Sequence, residues 1–276
     1  MCLDKTRNKR RNKIAKALLL GTAGIMAAGL LAAQLSAQSF TISQNGKSVG
    51  SATLTMNKAA GGYAGTAQTH IDMPGLKYNF TETASLDGGF HLAKAQLNGD
   101  VNGTKATVDA APQGQQYQMT INANGQVINT PLAFHPQAVF FPDFDPAALQ
   151  TVLNLGAAHN NRDLWALVPK QSGSVSQLRI VTNADMQGTL NGSPVTVHHF
   201  TVSFDTTKTE VFSSPSNTLL QAEWSDEGFA MVRQGFKLTP PARPPSAPPA
   251  APQQPAGQTT PGQAPAKPAT PPTQQQ

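Results

Sequence analysis

Residues 76–86, LKYNFTETASL, alternate with a single exception at Glu82. Leu76, Tyr78, Phe80, Ala84 and Leu86 share one parity, and Lys77, Asn79, Thr81, Thr83 and Ser85 share the other. Successive strand side chains point to opposite faces, so this period of two predicts a half-buried strand. Residues 116–123 repeat the pattern with Tyr117, Met119 and Ile121. Residues 195–204 (VTVHHFTVSF), 219–224 (LLQAEW) and 229–238 (FAMVRQGFKL) extend it into the second half, with a turn expected at Asp226-Glu227-Gly228. Asn-Gly occurs five times, at 45–46, 98–99, 102–103, 124–125 and 191–192. It suits the type I′ turn, whose two central residues both need positive φ. Short alternating runs joined by such turns predict an antiparallel β-protein.

One segment breaks this rhythm. In FPDFDPAALQTVLNLG, Asp145 is a good N-cap, Pro146 fits the first helical position and Gly156 can end the helix. Leu149, Val152 and Leu153 form an apolar stripe at i, i+3 and i+4. A helix over about 145–155 is expected to pack on a sheet or plug one open end. The fold class is then mainly β: an antiparallel curled sheet or half-barrel with one short helix.

The ends of the chain read differently. Residues 1–16 carry seven basic side chains against one acidic, and 17–33 form an uncharged, largely apolar run. Small residues follow, with a cleavage site after Ala37. This is an export signal over 1–37, or an uncleaved anchor in the inner membrane if the cut is not made. Arg10-Arg11 raises a twin-arginine route, but Lys13 stands where a large apolar residue is usual. The expected location is the periplasm or the extracellular space. Cys2, the single cysteine, lies before the cut, so the exported part relies on a core rather than disulfides.

From Thr239 to Gln276 the chain holds 13 of its 22 prolines, with little to bury. Such a segment cannot offset its ordering entropy and is expected to be a disordered tail. It reads as a tether, or as a ligand for an envelope-protein or cell-wall partner. Residues 38–238 remain for a β-rich globular domain, and they are slightly acidic. The net charge of +5 belongs to the signal, and no basic patch remains to argue for nucleic acid.

Specific chemistry is sparse. Gly46-Lys47-Ser48 suggests a phosphate loop, but that loop needs glycine where Thr41 stands and must open a helix. It reads instead as a hairpin corner pairing Gln44 with Lys47 and Ile42 with Val49. Leu54 and Met56 lie on the opposite parity to Val49, so the phase slips around Gly50, and a bulge is expected there. No Gly-x-Ser-x-Gly elbow occurs and no thiol is exported, so no catalytic residues, cofactor or metal are assigned. His135, Asp143, Asp145 and His159 flank the helix but lack a ligand spacing.

Two polar residues fall in phase with apolar ones: Glu82 with Tyr78 and Phe80, and His198 with Phe200. On an inward face they could orient a ligand's head group. The candidate ligand-binding residues are therefore Glu82, His198, Tyr78, Phe80 and Phe200, and the ligand an apolar small molecule or lipid.

The segments NGKSVG and LLQAEWSDEGFAMVRQGFKL resemble those of exported bacterial proteins in which a long sheet curls around a helix. That architecture is similar to the LolA-like periplasmic lipoprotein-carrier half-barrels. The resemblance implies a cavity for acyl chains or another apolar ligand, and no catalytic residues. The function expected is a non-enzymatic envelope binding module. The alternatives are a scaffold tethered by its tail, and a hydrolase whose site the sequence hides.

Overall fold

The computed structural model describes residues 37–170 and 172–240. The expected signal up to residue 36 and the proline-rich tail from residue 241 lie outside the described residues. Strand β1 (Gln38–Gln44) turns into β2 (Lys47–Ala59) through Asn45 and Gly46, at φ of 49° and 78°. Both values suit a type I′ corner. Gln44 pairs with Lys47 as expected. Ile42, however, faces Gly50 rather than Val49, because the ladder jumps between Ile42 and Ser43. Val49 is the extra residue of a bulge. By absorbing it, the hairpin buries Phe40, Ile42, Ala52 and Leu54 together.

Gly50 is required by its neighbour as well. A Cβ there would overlap the His70 carbonyl oxygen and lie 2.9 Å from Ile71 Cα on the next strand. Gly50→Ala is therefore expected to lose about 1–3 kcal/mol, the range for overpacking. A urea midpoint equal to that of the parent would overturn this account of the bulge.

The meander continues through β3 (Gly62–Met73), β4 (Leu76–Asp87), β5 (Leu92–Val101), β6 (Thr104–Gln113), β7 (Gln116–Ala123) and β8 (Gln126–Ala133). Four of the Asn-Gly pairs are turns. Asn98-Gly99 is not: it lies inside β5, opposite Thr81 and Phe80. A Cβ on Gly99 would stand 2.7 Å from Phe80 Cα and 2.8 Å from its ring. That glycine answers close approach between strands rather than turn geometry.

The second half comprises β9 (Ala138–Phe140), α1 (Pro146–His159), β10 (Leu164–Val168), β11 (Ser174–Thr182), β12 (Met186–Leu190), β13 (Ser193–Phe204), β14 (Thr207–Ser213), β15 (Leu219–Trp224), β16 (Phe229–Arg233) and β17 (Phe236–Leu238). A single 3₁₀ turn, Ser225–Glu227, closes on Gly228 at φ 70° between β15 and β16. Residues 229–238 are not one strand. Gly235, at φ 79°, reverses the chain, and β17 pairs with β12.

Long-range pairing unites the halves. β1 lies between β2 and β16, and the sheet continues through β15, β14, β13 and β11 to β10. The result is a single curled, unclosed, mainly antiparallel sheet. Its one parallel pair is β9–β10, and α1 is the crossover that such a pair requires.

Asp145 caps α1 by accepting from the amides of Ala147 and Ala148 at 2.6 and 3.0 Å. The helix runs through Gly156, where termination was expected, and ends at Asn160 in the left-handed region. Gly156 is instead a packing residue, since a Cβ there would come 2.5 Å from Asn161 Oδ1 and 3.2 Å from Ile180 Cδ1. Leu149, Val152 and Leu153 are buried, as are Ala147, Ala148, Gln150, Thr151 and Leu155. So α1 lies within the curl, against β2, β3, β9, β10 and β15, rather than at its mouth. The buried Gln150 is satisfied: its amide group donates to the Asn217 carbonyl at 2.7 Å and accepts from Leu219 N at 3.0 Å.

Candidate functional site: an apolar cavity on the concave face

Every second residue of β4 points into the curl, and Tyr78, Phe80, Glu82, Ala84 and Leu86 are all buried. The outer half of this face opens onto a cavity of about 330 Å³. Tyr78 and Phe80 of β4, Leu97 and Val101 of β5, Ala106 and Val108 of β6, and Ile121 and Ala123 of β7 form its wall. Pro142, Asp143, Pro169 and Lys170 close it from the loops that follow β9 and β10. The volume exists because Ala106 and Ala123 are small where neighbouring positions carry branched or aromatic side chains.

Two polar features mark the mouth. Lys170 Nζ lies 2.8 Å from Asp143 Oδ1, with side chains 60% and 47% exposed. The Tyr78 hydroxyl donates to the Asp143 carbonyl at 2.9 Å. Burial pushes that hydroxyl's pKa well up, and the nearby carboxyls of Asp143, Asp145 and Glu82 push it further.

Behind this wall Glu82 and Asp145 meet, 2% and 5% exposed. Glu82 Oε2 is enclosed, and among the described residues no donor reaches it. Burial raises the Glu82 pKa well above the carboxylate range; the neighbouring Asp145 charge and the hydrogen bond to it add to the rise. Asp145 is also raised by burial, but the bond from Glu82 and the two helix amides oppose this. These directions fit Glu82 as the donor and Asp145 as the acceptor of that bond. That bond ties β4 to the start of α1.

The other candidates separate. Phe200 lines a second cavity, of about 180 Å³, between α1 and β11–β13, with Val152, Leu153, Ile180 and Val202. His198 takes no part in either cavity. Its Nδ1 lies 2.9 Å from Asp185 Oδ1, and its side chain is 32% exposed. The alternation of β13 misleads because the strand changes partners. Its first half pairs with β12, and Val197 packs with Phe212, Leu220 and Phe236 in a separate small cluster. Its second half pairs with β11, and Val202 joins the main core.

The residues flanking the helix disperse too. His135 stacks on Trp165 at 3.6 Å, and burial lowers its pKa. His159 is near Gln137, Asp143 pairs with Lys170 and Asp145 caps α1. Among the described residues, no three His, Cys, Asp or Glu side chains gather as a metal site. Three imidazoles pair with carboxylates, His91–Asp87, His198–Asp185 and His199–Glu210, each at 2.9 Å. None of the three has a hydrogen bond to a serine among the described residues.

The alternation did not bring in Lys170 or the wall from β5–β7. One signal was available for the wall. In TKATVDA, residues 104–110, small Ala106 precedes Val108 and Ala110 on one parity, which marks an inward face with room to spare.

No curated protein and no solved structure matches this chain. A family model matches residues 40–234, which cover the helix, the cavity and all of the sheet but β17 and the first two residues of β1. The chain belongs to the DUF6134 family, a domain of unknown function.

Proposed function

We propose that this is an exported, non-enzymatic binding module that holds an apolar or lipid-like ligand on the concave face of its half-barrel. The observation that carries this reading is the cavity of about 330 Å³ walled by Tyr78, Phe80, Leu97, Val108 and Ile121. It falls at the small end of the range for ligand sites and suits one chain or ring system. The basic and apolar residues at 1–33 support delivery to the envelope. The curled sheet around a helix supports the comparison with lipoprotein-carrier half-barrels.

A scaffolding role is the second reading, favoured by the way α1 fills much of the curl. One pair of measurements separates the two. Native mass spectrometry of protein from its own envelope should show a retained apolar ligand. Ala106→Trp, which places an indole in the cavity, should lose at least ten-fold in ligand retention while circular dichroism stays unchanged. Protein that carries no ligand, and whose partner binding depends only on the tail, would favour the scaffold.

A further inference from the structure

From the charges at the mouth of this cavity, we infer that its ligand carries an ammonium group, which replaces the Lys170 ammonium on the Asp143 carboxylate while the apolar chain fills the space behind. This inference rests on the cavity being a ligand site. Among the described residues, Asp143 and Lys170 are the only charged ones in the lining, and they are bonded to each other at 2.8 Å. They are not equivalent.

Asp143 is held in place. Its carbonyl takes the Tyr78 hydroxyl, the next carbonyl, of Phe144, takes the Thr69 hydroxyl at 3.0 Å, and Asp145 caps α1. Three successive residues are thus fixed to β4, β3 and the helix. Lys170 follows Pro169 on a long, 60% exposed side chain, and its ammonium contacts only Asp143 among the described residues. An ion pair this exposed is worth little, so a competing ammonium displaces it cheaply. The partner anchored by its neighbours is the anion, and the more exposed one is the cation.

The surroundings have the same polarity. Asp145 places a second, buried carboxylate two residues from Asp143. A carboxylate or phosphate head entering here would face Asp143, with Asp145 buried behind it. An ammonium would face Asp143 with the Tyr78 and Phe80 rings, 4.7 Å apart, alongside; aromatic faces attract cations.

The test uses the full chain and three probes of equal chain length: decylamine, decanol and decanoate, titrated calorimetrically at pH 7. The amine should bind at least ten-fold tighter than the carboxylate, with the alcohol between them. Asp143→Asn should abolish the amine's advantage and leave decanol unchanged. Lys170→Met, which removes the resident cation, should tighten the amine. Equal binding of all three probes, or tightest binding of decanoate that Lys170→Met abolishes, would overturn the ammonium assignment and leave the cavity reading intact. If none of the three binds, both readings fall.

Discussion

Phe144→Ala is expected to lower the unfolding free energy by about 3–5 kcal/mol, the range for deleting a buried aromatic side chain. Phe144 is 9% exposed and joins four elements. Its ring centroid lies 6.0 Å from Tyr78 on β4, 5.2 Å from Trp224 on β15 and 4.8 Å from Phe229 on β16. Its own backbone leads into α1 and receives the Thr69 hydroxyl. It therefore fills the junction where the meander half, the second half and the helix meet. It does so at φ 53°, an uncommon conformation for a bulky residue. Phe144→Leu should recover part of the loss, because it restores volume without the edge contacts of the ring. Urea unfolding followed by Trp fluorescence reads both variants. A loss for Phe144→Ala below about 1 kcal/mol, the level of a tolerated swap, would mean the junction is not packed as described.

The second large effect is a dependence on pH. The Glu82 carboxyl has its pKa raised in the folded chain, so between the unfolded value of about 4.3 and the raised folded value the native state binds more protons than the unfolded state. Unfolding free energy then falls as pH rises through this window, by up to about 1.4 kcal/mol per pH unit for one proton. Asp145, raised in the same direction, adds to the fall. Asp87 and Glu210 have lowered values, through bonds from His91 and from Lys208, Thr201 and His199, and they act with the opposite sign only in more acid solution; His135, lowered by burial, opposes the fall below its ordinary value of about 6.5. The domain should thus be most stable in mildly acid buffer. Glu82→Gln, which keeps a donor for Asp145 but cannot ionise, should flatten the decline between pH 5 and 8. Urea midpoints at four pH values in that range suffice. A parent whose stability rises across them, or a variant with the parent's slope, would contradict Glu82 as the donor.

How much of this could be read without the fold differs from residue to residue. The inward face of β4 was legible through Glu82, because a strand's period of two is a local property and eleven residues display it with a single exception. The Asn45-Gly46 corner and the slip near Gly50 were legible for the same reason: positive φ and a change of parity leave marks within a few residues. The start of α1 at Asp145-Pro146 was also written locally. Its end was not, since the helix runs on past Gly156 to His159, and the missing Cβ there leaves room for Asn161 and for Ile180, more than twenty residues away.

The site was only half legible. Tyr78 and Phe80 announce an apolar face, but a face becomes a cavity only when other walls stand opposite it. Those walls are β5–β7 and the loops holding Asp143 and Lys170. His198 shows the converse error: its phase with Phe200 is real, yet β13 changes partners between Val197 and Val202, and the residue pairs with Asp185 away from both cavities.

The sequence by itself determined the strands with clean alternation, most of their tight turns, the capped helix and the basic and apolar character of the first 33 residues. Each follows from backbone sterics and side-chain periodicity within one segment. Tertiary structure alone decided that β1 joins β16, that α1 crosses between parallel β9 and β10 inside the curl, that Asn98-Gly99 is strand rather than turn, and that Asp143 meets Lys170 over Tyr78. These depend on which distant segments pair, and that choice belongs to the burial of the whole core rather than to any local run of residues.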